Sequence, residues 1–184
     1  EEEITLFAKK DIQTDNIRYE LLDKDNPEGV ILGNATNCCQ TLKGVGSECL
    51  EYGMTKRNSK FMTFKMDNVL VGQSWVWYDE LTQKVCLDNI EIPTSILNKY
   101  SPNSEFYRDF IRCLKRATKG ILEEMTSKGL KVKSITTGRG YNKIQNYLNR
   151  EFKLLKDQST LSDYSGYTDA DDQFILYDYK HPIR

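Results

Sequence analysis

Histidine is nearly absent from this 184-residue chain; the single one, His181, lies close to the end. The five cysteines (Cys38, Cys39, Cys49, Cys86 and Cys113) form no C-x-x-C pair. A four-ligand zinc site therefore lacks its usual donors. An odd number of thiols without a regular framework points to free cysteines in a reducing compartment. No apolar run approaches the ~20 residues of a membrane span, and no secretory h-region opens the chain. Neither sign of charge is in surplus, with 26 Lys+Arg against 27 Asp+Glu. That balance removes the electrostatic footprint of a dedicated nucleic-acid binder and of an acidic disordered tail. The chain opens on Glu1 rather than Met, compatible with a piece of something longer. The expectation is a soluble, cytoplasmic protein with no metal, no membrane anchor and no nucleic-acid partner.

What the chain has is apolar bulk. Hydrophobic residues make up 39% and aromatics 11%, with eleven tyrosines. One compact domain of this length can bury a sizeable core. Residues 1–25 are polar and read as an N-terminal arm or edge element, leaving 26–184 as a single domain.

The pattern along the chain changes period several times. Asn26-Pro27-Glu28-Gly29 reads as a turn before the apolar step Val30-Ile31-Leu32. Thr36 or Asn37 could cap a short helix through Cys38, Cys39 and Leu42, broken by Gly44-Val45-Gly46; Ser47 could cap a second helix running to about Met54. A period of two then takes over in Lys60–Met66 and Val69–Tyr78, with Asp67-Asn68 as a hairpin turn. Lys84–Ile92 makes a third strand, stopped by Pro93. The longest helix spans about Ser104 to Lys128, with Phe106, Phe110, Leu114, Ala117, Ile121 and Met125 as one apolar stripe and Gly129 as its stop. Arg108, Arg112, Lys115, Arg116 and Lys119 occupy another face, read first as solvated surface and second as a contact for phosphates. Lys131–Thr136 is a strand, Lys143–Arg150 a helix, and Phe152–Leu155 and Gln173–Tyr179 are strands, the last two separated by the polar loop Asp157–Asp172.

A long helix between Ile92 and Lys131 is the crossover needed to set two strands parallel. The fold class is therefore α/β (α+β): a mixed sheet with an antiparallel meander, a long crossover helix and a parallel strand. This order, from about Val30 to Tyr179, resembles the GNAT superfamily of acyl-CoA N-acyltransferases. The blocks Asn37-Cys38-Cys39-Gln40, Gln73-Ser74-Trp75-Val76-Trp77 and Asp88-Asn89-Ile90-Glu91 also look like segments of uncharacterised GNAT-like proteins of bacteria and phages.

The resemblance implies acetyl-CoA as cofactor, held along Asp88-Asn89-Ile90-Glu91-Ile92 where this strand diverges from Lys131–Thr136. Splayed parallel strands leave backbone groups that an amide-bearing arm can satisfy, which assigns Asn89, Ile90 and Ile92 to the cofactor. The family's asparagine after the next strand is similar to Asn142. Gly138-Arg139-Gly140 sits at that strand-to-helix junction, where Arg139 or Lys143 could pair with phosphate; an ordinary turn is the competing reading. The chain departs from the family at the phosphate loop Q/R-x-x-G-x-G/A, since 93–106 contains no glycine.

Acyl transfer to an amine needs a base, an oxyanion donor and an acid. The resemblance implies Glu91 as base with Asp88 in reserve, a backbone N–H at Ile90 or Ile92 as oxyanion donor, and a tyrosine as acid. Tyr141, Tyr147, Tyr164, Tyr167, Tyr177 and Tyr179 are all available, and Tyr147 lies nearest the family position. The acceptor would be a small-molecule or peptide amine, and the acidic stretch 163–172 would favour a cationic one. The alternative function is a GNAT-like domain without cofactor, serving as a binding or structural module. Trp75 and Trp77 share a strand face with Gln73 and read as core before ligand platform. Cys38 and Cys39, if they open a helix, would have lowered thiol pKa values; buried structural thiols are the default.

Overall fold

The computed structural model describes residues 16–139, 143–155 and 173–180. Seven strands form one sheet: β1 (Ile17–Leu21), β2 (Ser59–Met66), β3 (Val69–Asp79), β4 (Lys84–Leu87), β5 (Ser134–Gly138), β6 (Lys153–Leu155) and β7 (Gln173–Asp178), in the order β1-β2-β3-β4-β5-β7-β6. Only β4 and β5 run parallel; every other neighbour is antiparallel. The β2–β3 hairpin turns on Asp67 and Asn68, both with positive φ (50° and 65°). Two successive left-handed residues twist the turn the same way as the strands it joins.

The helices are α1 (Glu28–Thr36), α2 (Ser47–Thr55), α3 (Thr94–Lys99), α4 (Glu105–Ser127) and α5 (Ile144–Glu151). At 1.5 Å per residue, α4 is about 35 Å long, enough to return the chain from one end of the sheet to the other and set β5 parallel to β4. All six residues of its apolar stripe are buried, against Ile17, Phe64, Val76, Leu87, Ile135 and Phe174 of the sheet. Beyond α4 the N–H groups of Gly129 and Leu130 return to Thr126 O and Met125 O at 2.9 and 3.0 Å, where the stop was expected. The basic face is solvated and ion-paired. Arg108 bonds Glu105, Arg112 bonds Glu105 and Asp109, and Lys115 meets Glu151.

A second apolar cluster fills the other face beneath α1 and α2. The Trp75 and Trp77 rings lie 4.4 Å apart between centroids, tilted by 36°, and Tyr52 meets Trp75 edge-on at 5.4 Å. Leu22, Leu32, Leu50, Phe61 and Cys86 complete it. The tryptophans are core, as their alternation suggested.

Five local expectations need correction. The helix expected through Cys38 and Cys39 ends before them. The Asn26 carboxamide accepts the Glu28 N–H at 2.9 Å and Asn37 closes α1 in the left-handed region at φ 56°. Asparagine serves either end of a helix, and here it is the exit. The third strand is regular only to Leu87. The short helix α3 lies in the stretch read as loop, and β5 starts at Ser134 because Lys131 O accepts the Tyr78 hydroxyl and the Lys133 N–H bonds Gln83 O. Cys39, expected to be buried, is exposed.

Candidate functional site

The site begins with a slip of one residue. Along β3 and β4 Val76 faces Leu87, yet further on Gln73 faces Glu91. The N–H of Asp88 bonds Trp75 O at 2.7 Å; those of Gln73 and Glu91 bond each other's carbonyls at 2.8 and 2.9 Å. One extra residue on the β4 side is a β-bulge. Its consequence is chemical. Side chains of strand partners share a face, so Glu91 lies on the same face as Gln73, Trp75 and Trp77. In unbroken register Ile90 would stand there; instead Ile90 and Ile92 turn into the core beneath α4.

On that face a polar cluster forms under the loop after α1. The Gln40 carboxamide donates to Asp88 Oδ2 at 2.6 Å, and Asp88 Oδ1 accepts the Asn89 N–H at 2.5 Å. Gln73 Nε2 donates to Thr36 Oγ1 at 3.4 Å, and Thr36 donates to Leu32 O at 3.0 Å. Gln40 and Gln73 are 3% and 1% exposed, and the carboxamide oxygen of each is buried without a partner. Gly33 seats the loop, because a methyl group there would overlap Gln40 O. Burial pushes the Cys38 thiol well above its ordinary range; the Gln40 backbone opposes the shift, while the Glu91 and Asp88 carboxylates add to it. The lowered pKa expected for Cys38 is thus reversed, because burial disfavours the thiolate and nearby carboxylates add to that.

Beside the bulge the regular β4–β5 pairing ends, at Leu87↔Thr137. Ser74 and Thr137 both donate their hydroxyls to Asp88 O at 3.0 Å, anchoring the residue that follows the last pair. A methyl group on Gly138 would overlap Asn89 Oδ1, so the Asn89 side chain lies directly against bare β5 backbone.

The other sequence-based candidates lie around α4 and α5. Tyr147 stacks on Tyr107 at 4.7 Å with an 8° interplanar angle. Both rings belong to the layer over the face opposite Glu91. Their hydroxyls, and Ser104 Oγ at the start of α4, are buried without partners. Burial raises the Tyr107 pKa, with a smaller contribution from Tyr147. Lys143 donates to Leu97 O at 2.9 Å, tying the start of α5 to α3. Arg139 is exposed directly after β5. Asn142, Tyr141, Tyr164, Tyr167 and the 163–172 stretch lie outside the described residues. The structure therefore gathers Asp88, Asn89 and Glu91, and holds Tyr147 in a separate layer.

The residues present fit a long, polar, amide-bearing ligand. The end of the β4–β5 pairing at Leu87↔Thr137 and the orphaned oxygens of Ser104, Tyr107 and Tyr147 are the observations that suit it. Among the described residues no group of three His, Cys, Asp or Glu is placed to hold a metal, and no helix is long and apolar enough to cross a membrane.

Gln40, Thr36 and Tyr107 escaped the sequence-based assignment. Gln73 gave a signal, as a polar residue alternating onto the strand face of Trp75 and Trp77; Gln40 gave none.

No family profile matches the sequence, and no curated protein matches it. Solved structures do. The crystal structure of Tetrahymena GCN5 superposes at a TM-score of 0.53 and 10% identity, over 90% of this chain and 98% of that one. A "probable acetyltransferase" from Staphylococcus epidermidis gives 0.52 and 12%, over 89% and 99%. An acetyltransferase of the GNAT family from Staphylococcus aureus Mu50 gives 0.49 and 15%, over 86% and 96%. A mixed seven-stranded sheet, a crossover helix and one parallel strand pair that ends beside a bulge make this the GNAT acetyltransferase fold. At identities this low the likeness is one of architecture.

Proposed function

We propose that the protein is an acyl-CoA-dependent N-acetyltransferase that acts on an amine acceptor by direct transfer. The observation that carries this is the bulge that turns Glu91 onto the same face as Asp88, beside the end of the β4–β5 pairing. When bound, acetyl-CoA supplies an activated acyl group. Asn89, Ile90 and Ile92 would hold its arm through backbone groups, Asn142 would also bind the cofactor, and Arg139 or Lys143 would meet its phosphates. Glu91 takes the proton that the acceptor ammonium must lose before its nitrogen can attack, with Asp88 as the reserve base. A backbone N–H at Ile90 or Ile92 would supply the oxyanion donor, and Tyr147, in the layer over the opposite face, would supply the proton for the leaving group.

Thiol release measured over a panel of amines tests the proposal. Acceptor-dependent release by the wild-type chain, lost in Glu91→Gln, is expected; no release with any amine contradicts it.

A second reading has its own support. The stretch before α4, where the fold carries its phosphate loop, contains no glycine and includes α3, to whose backbone Lys143 is bonded. That arrangement suits a domain that keeps the fold as a cofactor-free binding or structural module, in a phage or bacterial protein. Failure to bind acetyl-CoA would select it.

A further inference from the structure

The near-zero net charge that argued against a nucleic-acid partner is an average over the whole surface, and the charges are not evenly spread. The sheet has a rim at the end away from Glu91. Lys84 opens β4 there, paired with Asp79 on one side and Ser134 on the other, and Ser134 in turn faces Asp178 of β7. On the β2 side the Tyr78 N–H bonds Asn58 O, and the Asn58 carboxamide donates to Tyr78 O, both at 2.8 Å; Arg57 is the next residue out. On the β7 side the Lys133 N–H bonds Gln83 O at 2.8 Å, and the Tyr179 N–H bonds Lys133 O at 3.0 Å. These bonds set Arg57, Lys84, Lys133 and Lys180 along one edge, about 19 Å from β2 to β7 at the usual strand spacing. Lys131 joins them, its carbonyl held by the Tyr78 hydroxyl at 2.8 Å.

Four of these five cations are exposed and Lys84 is half-buried. The cations of α4 meet Glu105, Asp109 and Glu151, whereas these five form no ion pair among the described residues. The carboxylates on the same rim are Asp79, Glu80 and Asp178. Asp79 is buried and accepts from Leu81 N–H and the Thr82 hydroxyl in its own turn, and Asp178 accepts the Lys180 N–H. The rim is therefore net positive on a chain whose net charge is −1. Tyr179 lies at its end, 53% exposed, with Lys180 Nζ 5.9 Å from the ring centroid.

We propose that this rim is a docking surface for single-stranded nucleic acid, with the five cations meeting phosphates and Tyr179 stacking on a base. Unpaired cations in a row gain most from a polyanion, whose bound counterions they release. An aromatic face left in water beside them suits a base, which an acidic polypeptide does not offer. Bases in a duplex are already stacked, so the strand that fits is single. The surface is remote from Glu91 and does not depend on the acyltransferase reading.

The test is fluorescence anisotropy of a labelled oligothymidine strand titrated with the full chain, starting at about 50 mM salt. Saturable binding is expected, with a slope of log affinity against log salt of about −3, as for four or five phosphates on a single strand. Replacing both Lys131 and Lys133 by glutamine should weaken binding about 10-fold and flatten that slope by about 1.4. Tyr179→Ala should also weaken it about 10-fold but leave the slope unchanged, because stacking releases no counterions. Lys119→Gln, on the exposed face of α4, should change neither, and equal urea midpoints show that the variants fold. No binding, or full affinity in the folded rim variants, would overturn the proposal. Displacement by poly-glutamate as effective as by unlabelled oligothymidine would overturn it in favour of an acidic protein partner. Displacement by CoA would overturn it by placing the strand in the cofactor site.

Discussion

Gln73 and Glu91 exchange a pair of backbone hydrogen bonds, 2.8 and 2.9 Å long, one residue out of step with the rest of the β3–β4 ladder. That slip decides which side chains of 88–92 meet the α1–α2 face and which enter the core. Asp88 and Glu91 are three residues apart, and on a regular strand they would point to opposite faces. The bulge brings them together.

Replacing Glu91 by glutamine removes the base while preserving size. Turnover should fall on the order of 10²–10⁴-fold, with acetyl-CoA affinity nearly unchanged. Steady-state kinetics and calorimetry on the same preparation check both halves. Unchanged turnover would exclude Glu91 as the base.

Gly138→Ala should destabilise the chain by about 1–3 kcal/mol, because the new methyl group overlaps Asn89 Oδ1. Asn89→Ala removes that obstacle, so the double variant should recover most of the loss. Urea unfolding of the four proteins completes the cycle. Strict additivity would mean that Asn89 is not what Gly138 accommodates.

Arg139→Ala should weaken acetyl-CoA if the exposed guanidinium meets phosphate, as a drop in affinity that grows at low salt. Lys143→Ala gives up its bond to Leu97 O as well, so it should also loosen α3 against α5. Amide hydrogen exchange in 94–99 distinguishes the two effects; equal protection in both variants would contradict the tie between Lys143 and α3.

The thiols set an alkaline limit to stability. Burial raises Cys86 to about 11 from an ordinary value of 9.0, and raises Cys38 as well. Above pH 9 the unfolded chain therefore loses these protons while the native chain keeps them. Unfolding free energy should then fall as pH rises from 9 to 11. Cys86→Ala should flatten that fall in urea melts; an unchanged slope would show that Cys86 ionises alike in both states.

The frame of the fold was legible because it rests on periodicity. The α4 stripe, the Asp67-Asn68 hairpin and the buried Trp75–Trp77 pair follow from spacing and turn chemistry. The site was legible only in part. Asp88 and Glu91 could be named, but a bulge has no local signature in Asp88-Asn89-Ile90-Glu91. It shows only in the pairing with Gln73, a long-range fact. Gln40 was invisible because its role depends on Gly33 letting the loop fold back over α1. Asn37 misled for a definite reason, since its side chain suits a helix entrance and its tolerance of positive φ suits an exit.

Calorimetric titration of the full chain with acetyl-CoA, with CoA as companion, bears most directly on whether the end of the β4–β5 pairing is a working cofactor site. Saturable one-to-one binding at micromolar strength, about −8 kcal/mol, is the expected result. No heat of binding at millimolar ligand would contradict it and leave a GNAT fold put to another use.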